Sequence, residues 1–242
     1  MSDANQLHKA IGLMSGTSMD AVDAAIVTTD GHTHVEAGPS LAVPYPRALR
    51  DRVAGELAGA MALSAPRPLP HNLLELEREI TLMQAEVVNQ LMSEANMLAS
   101  EFDVIGFHGQ TVAHRPDQGW TLQLGDGSLM AAETGVDVVN DFRSADMTAG
   151  GEGAPLAPLY HLALAHDMSG HPLAVLNLGG IGNVTWIGPN DGPDPVAFDT
   201  GPANALIDEW ALEKIGEPFD HNGALAKAGT VNEAVLKTML TN

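Results

Sequence analysis

The sequence has no cysteine. That excludes a disulfide framework, a thiol nucleophile and any cysteine-ligated zinc or iron–sulfur site, and it leaves a reducing compartment fully compatible. Basic residues are scarce as well: 11 Lys and Arg stand against 31 Asp and Glu, for a formal charge of −20. Such a charge repels phosphate backbones and anionic membrane surfaces, so no nucleic acid and no membrane is expected as a partner. Acidity with only 17% charged residues is also common in halophilic and cold-adapted proteins, where it serves solvation and says little about substrate. No stretch approaches the roughly 20 apolar residues that a membrane helix needs. The start, Met1-Ser-Asp-Ala-Asn-Gln, has no basic region followed by an apolar run. The expectation is a soluble cytoplasmic protein. The chain also lacks a G-x-x-x-x-G-K-[ST] segment and the H-R-D and D-F-G pair, which disfavours a P-loop enzyme and a protein kinase. No fixed short period suggests a solenoid or propeller.

What is present can fold: 242 residues that are 45% hydrophobic suffice for one large domain or two smaller ones. Lys9 to Met14 and Ala21 to Val27 are apolar runs on either side of Ser15-Gly-Thr-Ser18, and read as strand, Gly-containing turn, strand. His32 to Val43 reads as a third strand closed by Pro44 and Pro46, followed by a helix over Ala48 to Leu63. Ala65-Pro-Arg-Pro-Leu-Pro70 is a connector. After it Leu73, Leu76, Ile80, Met83, Val87 and Leu91 recur at helical spacing, with Glu75, Glu79, Glu86 and Glu94 off the stripe. Short strands are expected at Asp103 to Phe107, Trp120 to Leu124 and Val136 to Val139, each ending in a polar or Gly-bearing tip. In open α/β sheets ligands gather at the carboxyl ends of strands, so these tips are candidates for one cleft. A helix over Ala154 to His166 follows, then strands at Leu173 to Asn177, Val184 to Ile187 and Pro195 to Phe198, and helices over Pro202 to Trp210 and Val231 to Leu240. The strands after His171 repeat those that open the chain, which suggests two related halves.

Phosphate handling favours Gly, Ser and Thr in a tight turn, where backbone N–H groups can approach oxygen closely. Gly12-Leu-Met-Ser-Gly-Thr-Ser-Met-Asp20 has that composition: Gly16 can take positive φ, Thr17 and Ser18 bring donors, and Asp20 can hold Mg²⁺ directly or through water. An ordinary hairpin with an exposed Asp fits the same letters.

In order and spacing, several runs resemble the anhydro-N-acetylmuramic acid kinase family: Met14-Ser-Gly-Thr-Ser-Met-Asp-Ala-Val-Asp23, His108-Gly-Gln-Thr-Val-Ala-His-Arg-Pro116, Thr121-Leu-Gln-Leu-Gly125, Asp141-Phe-Arg143, Gly150-Gly-Glu-Gly-Ala-Pro-Leu156, Asn177-Leu-Gly-Gly-Ile-Gly-Asn183 and Phe198-Asp-Thr-Gly-Pro-Ala-Asn204. The resemblance covers nearly the whole chain. It implies an α/β, actin/hexokinase-like (ribonuclease H-like) two-lobe fold with mixed sheets. Residues 1–170 would form the N-terminal lobe and 171–242 the start of an incomplete second lobe. It further implies that ATP and water convert 1,6-anhydro-N-acetylmuramic acid to N-acetylmuramic acid 6-phosphate in peptidoglycan recycling, and it allows a homodimer. On this resemblance the catalytic base is Asp199, the nucleotide-binding residues are Gly16, Thr17, Ser18, Met19, Asp20, Ala21, Val22 and Asp23, and Asp20 is the metal carboxylate. His108, Gln110, Thr111, Arg143 and Asp146 would contact the sugar.

Each assignment has a plainer reading. Asp199 or Thr200 can cap a helix begun at Pro202, His108 can satisfy nearby backbone, Arg143 can pair internally with an Asp, and Gly150 to Gly153 can be a flexible turn. Position 21 holds Ala where the family usually has Gly, which would strain a positive φ there, and Glu152 stands where Gln is usual. The family's later Pro-Lys-Ser-Thr-Gly-Arg-Glu and Gly-Gly-Gly runs have no counterpart, so little kinase activity is expected of these 242 residues alone. A catalytically inactive remnant that binds sugar or nucleotide is one rival. The other is an aspartic peptidase, suggested by Val196-Ala-Phe-Asp-Thr-Gly201, but such a site needs two carboxylates sharing a proton and this loop brings one.

Overall fold

The computed structural model describes residues 6–16, 19–189 and 194–241, so Thr17 and Ser18 of the phosphate turn lie outside the described residues. The chain divides into one compact unit ending at Asp167 and another beginning at Met168. Its class is α/β with mixed sheets, as expected for an actin/hexokinase-like chain.

The first unit opens with β1 (His8–Ser15), β2 (Ala21–Thr29) and β3 (Val35–Pro44), continues through α1 (Arg47–Met61) and α2 (His71–Glu94), and then adds β4 (Val104–Phe107), β5 (Gln110–Arg115), β6 (Trp120–Leu124), α3 (Gly127–Thr134), β7 (Val138–Asn140), α4 (Phe142–Thr148) and α5 (Ala157–Ala165). Ile11 and Leu13 on β1, and Val22, Ala24 and Ile26 on β2, are buried at period two, while Met14 and Asp23 face outward. That alternation sets the register: β1 pairs antiparallel with β2 and parallel with β4, in a sheet ordered β3-β2-β1-β4-β7. Over one face lies α2, whose Leu73, Leu76, Ile80, Val87 and Leu91 are buried in the same core as β1 and β4. The carboxyl ends of β1, β4 and β7 therefore emerge on one edge, because these strands run parallel.

Some elements differ from the sequence reading. Gln110 and Thr111, read with His108 and Gly109 as the tip of the preceding strand, instead open β5, which pairs with β6 in a separate two-stranded sheet. Asp126, read as a strand tip, caps α3 by accepting from the N–H groups of Ser128 and Leu129 at 2.9 and 3.1 Å. The helix expected from Ala154 begins at Ala157, and α4 was not foreseen.

The second unit has β8 (Leu173–Leu178), β9 (Ile181–Ile187) and β10 (Val196–Pro202) in one antiparallel sheet ordered β10-β9-β8, then α6 (Asn204–Ile215), α7 (Ala224–Ala228) and α8 (Glu233–Met239). Each unit thus opens with an antiparallel three-strand meander. Leu176, Leu178, Phe198, Trp210 and Leu240 are exposed on the second unit.

Candidate active site

Between β1 and β2 the chain turns sharply: the Met19 N–H donates to Gly16 O at 3.1 Å, and Met19 is buried with φ +55°. Left-handed backbone at a non-glycine costs energy, and here a buried side chain holds it in place. Asp20 is exposed, and its carbonyl accepts the Tyr45 N–H at 3.1 Å. Ala21 already belongs to the ladder, opposite Pro44 and without positive φ, so the strain expected there does not arise. Val22 points into the core and Asp23 away from it.

A buried polar cluster braces this turn. Gln110 is 1% exposed; its Oε1 lies 2.5 Å from Ser15 Oγ and 3.1 Å from Tyr45 Oη, and its Nε2 donates to Gly16 O at 3.2 Å. Gln84 Nε2 donates to Tyr45 Oη at 3.2 Å. Ser15 and Tyr45 each have a hydroxyl proton to give Gln110, and Gln110 keeps an N–H for the turn. Burial pushes the Tyr45 phenol up, so it remains a donor. Gln110 thus contacts protein with both ends of its amide, and the next residue, Thr111, accepts from Gln123 Nε2 at 3.2 Å.

The first unit contains a cleft of about 180 Å³ whose wall includes Arg67, His108, Gln123, Asn140, Asp141 and Ser144. Gly109 makes it: at φ +69°, with any Cβ only 2.5 Å from Leu124 O, only glycine lets the end of β4 come this close to β6. His108 Nδ1 lies 2.9 Å from Gly109 O, and Arg143 Nε donates to His108 Nε2 at 2.9 Å. Arg143 has no lone pair to offer, so Nε2 must be the acceptor and the proton sits on Nδ1. Burial, and then the Arg143 charge, holds His108 below the usual imidazole range.

Among the described residues Arg143 pairs with no Asp, unlike its plainer reading: its Nη1 donates to Gly153 O at 2.6 Å, and burial lowers its pKa. Asp146 Oδ2 accepts the Gly153 N–H at 2.8 Å. Two of the five side chains predicted to touch sugar therefore hold the backbone of one residue of the Gly150–Gly153 turn, Arg143 at the Gly153 carbonyl and Asp146 at the Gly153 N–H. A Cβ at Gly151 would collide with the Asp146 carboxylate and force it to shift from the Gly153 N–H. Glu152 is exposed.

Asp199 is on the second unit, exposed on β10 opposite Asn183, where the register shifts between Asp199 and Gly201. Neither Asp199 nor Thr200 caps a helix: β10 runs through Pro202, and α6 starts at Asn204 behind Ala203 with no side-chain cap. That overturns the capping reading. Pro202, read as the first residue of the helix, is instead the last residue of β10, opposite Ile181.

The anhydro-N-acetylmuramic acid kinase profile matches residues 8–242. The chain belongs to the anhydro-N-acetylmuramic acid kinase family. It is 52% identical over 233 residues to the kinase of that name from Rhizorhabdus wittichii, covering 96% of this chain and 63% of that one. It is 50% identical over 231 residues to that of Rhodospirillum rubrum, covering 96% and 59%. The chain therefore spans about three-fifths of the length of the curated relatives it matches. The ethanolamine utilization protein EutJ of Carboxydothermus hydrogenoformans aligns at 15% identity and TM-score 0.33 over 92% of this chain and 62% of that one. YeaZ from Pseudomonas aeruginosa aligns at 13% and 0.29 over 81% and 68%. Such scores carry no argument. The family match runs through the Asp-Thr-Gly segment and removes the peptidase reading. Among the described residues no helix is long and apolar enough to cross a membrane.

Of the residues lining the cleft, His108 alone was assigned to the site from sequence, and Arg67 is the cation that was missed. Arg67 was read as part of a proline-rich connector; in the structure it lines the cleft and is tied to Glu77 of α2. The available signal was a lone Arg among prolines in a chain with few basic residues.

Proposed function

We propose that this chain carries the sugar cleft, the phosphate turn and the catalytic base of an ATP-dependent kinase. The kinase would hydrolytically open 1,6-anhydro-N-acetylmuramic acid and phosphorylate it to N-acetylmuramic acid 6-phosphate, in the cytoplasm, during cell-wall recycling. The observation that carries this reading is the family match over residues 8–242 together with 52% identity to a relative of that name.

Asp199 is the base. Its exposed carboxylate takes a proton from water as the water oxygen adds to the anhydro carbon. The bond from that carbon to O6 breaks, and the freed O6 attacks the γ-phosphorus of ATP, expelling ADP. General-base help of this kind is typically worth about 10²–10⁴ in rate. Gly16, Thr17, Ser18, Met19, Asp20, Ala21, Val22 and Asp23 are the residues this reading assigns to the nucleotide, since a Gly/Ser/Thr turn suits backbone N–H contact with phosphate. Gln110 and the buried Ser15 and Tyr45 hold the turn in shape. On this reading His108 meets the sugar from the cleft wall, Thr111 acts beside Gln123 of that wall, and Arg143 and Asp146 fix the Gly153 backbone.

The donor set suits Mg²⁺ carried by nucleotide. Among the described residues no three acidic or histidine side chains gather into a metal cage, and the exposed Asp20 at the turn is the single carboxylate expected to hold Mg²⁺ through water. When bound, Mg²⁺ supplies positive charge against the phosphoryl oxygens.

Calorimetric titration of the chain with Mg-ATP and with 1,6-anhydro-N-acetylmuramic acid tests this reading. Saturable binding of the sugar to the unaltered chain is expected. A flat sugar titration contradicts it.

A further inference from the structure

Arg67 is the one Lys or Arg on the wall of the cleft in the first unit. Its Nη1 and Nη2 donate to Glu77 Oε2 and Oε1 at 3.0 and 2.5 Å. The two partners sit in different surroundings: the Glu77 side chain is 9% exposed and absent from the cleft wall, whereas the Arg67 side chain is 49% exposed. Glu77 is further committed, because its Oε1 also accepts the Gly125 N–H at 3.1 Å. A buried carboxylate thus fixes the guanidinium from behind.

A guanidinium has five N–H donors, and Glu77 takes one from each Nη. Nε–H and the outer N–H groups are left, and an edge made of Nε and one Nη can take a second carboxylate side-on. Because Glu77 already holds the plane still, little side-chain freedom remains to be lost when a ligand arrives. No other side chain on the wall carries positive charge. His108 is neutral, with its proton on Nδ1 directed to Gly109, and Gln123, Asn140 and Ser144 are uncharged. Asp141 is the acidic member of the wall, and its charge reaches Arg67 together with that of Asp126. Arg67 is therefore the one group of the wall whose charge can attract a carboxylate, and the outer N–H groups that Glu77 leaves free are where it would dock.

We propose that Arg67 receives the carboxylate of the sugar acid, and so selects muramic-type sugars over N-acetylglucosamine-type sugars that lack the acid. This rests on the kinase reading of the cleft and adds a specificity-determining residue to it.

The test is calorimetric binding of two sugars, 1,6-anhydro-N-acetylmuramic acid and 1,6-anhydro-N-acetylglucosamine, which share the ring and acetamido group and differ in the acid substituent. The unaltered chain is expected to prefer the acid by about tenfold or more, the range of a charge-assisted hydrogen bond. Arg67→Gln is expected to abolish that preference while leaving the neutral sugar's affinity in place. Removing Arg67 alone strands a buried carboxylate, so the double variant Arg67→Gln with Glu77→Gln, which neutralises the pair, is measured beside it and is expected to behave alike. Equal affinity for both sugars in the unaltered chain, or a preference that survives in the folded double variant, overturns the inference and leaves the kinase reading standing. Failure of both sugars to bind overturns the two together.

Discussion

His108 sits where two demands meet. Its Nδ1 proton belongs to Gly109 O and its Nε2 lone pair to Arg143, so a second proton would face an N–H that already points at that nitrogen. The imidazole is held below its ordinary value of 6.5, by burial first and the Arg143 charge second. Between the lowered folded value and the unfolded one, the unfolded chain binds more protons on this ring. The stability contributed by the neutral ring is therefore complete above the unfolded value and is lost as pH falls through the folded one. Thermal melts between about pH 7 and pH 5 should show the unaltered chain losing Tm more steeply than His108→Gln, whose amide cannot titrate. Equal slopes would remove His108 as the cause. The sequence showed that this His ends a strand and lies near Arg143 in the motif set. It could not show that Arg143 would choose a histidine and a carbonyl over a neighbouring Asp, because that depends on where β4 and α4 place them.

The stripe on α2 was readable because helical burial repeats every three to four residues whatever the partner surface. Ile80 is fully buried on that stripe, while Leu74 on the same helix is 48% exposed. Ile80→Ala should cost about 2–5 kcal/mol, the usual range for a cavity of that size, and Leu74→Ala about 0.5 kcal/mol or less. Urea unfolding of the two variants separates them, and comparable losses would show that α2 does not pack by this face. β1 and β2 were readable for the matching reason at period two. β5 was not, since Gln110 is buried by finding Ser15, Tyr45 and the Gly16 carbonyl, and a buried glutamine looks like a loop residue until its partners are known. The start of α6 was misplaced because Gly201 and Pro202, usual helix-start letters, are spent on the bulged end of β10.

On the scale of the molecule, composition settled little beyond what could be excluded, and the order of separate short motifs settled the family. The proposed phosphate turn, the proposed sugar cleft and the Gly153 backbone contacts all belong to the first unit, and the proposed base to the second, within a chain that spans about three-fifths of its relatives' length. The most direct test of the kinase account places this chain in a complete framework: its matched residues replace the corresponding 233 residues of the Rhizorhabdus wittichii relative. ATP-dependent formation of N-acetylmuramic acid 6-phosphate from the anhydro sugar is then followed. The account predicts turnover by the chimera and a fall in kcat of about 10²–10⁴ on Asp199→Asn. Undiminished turnover by the Asp199→Asn chimera would contradict it.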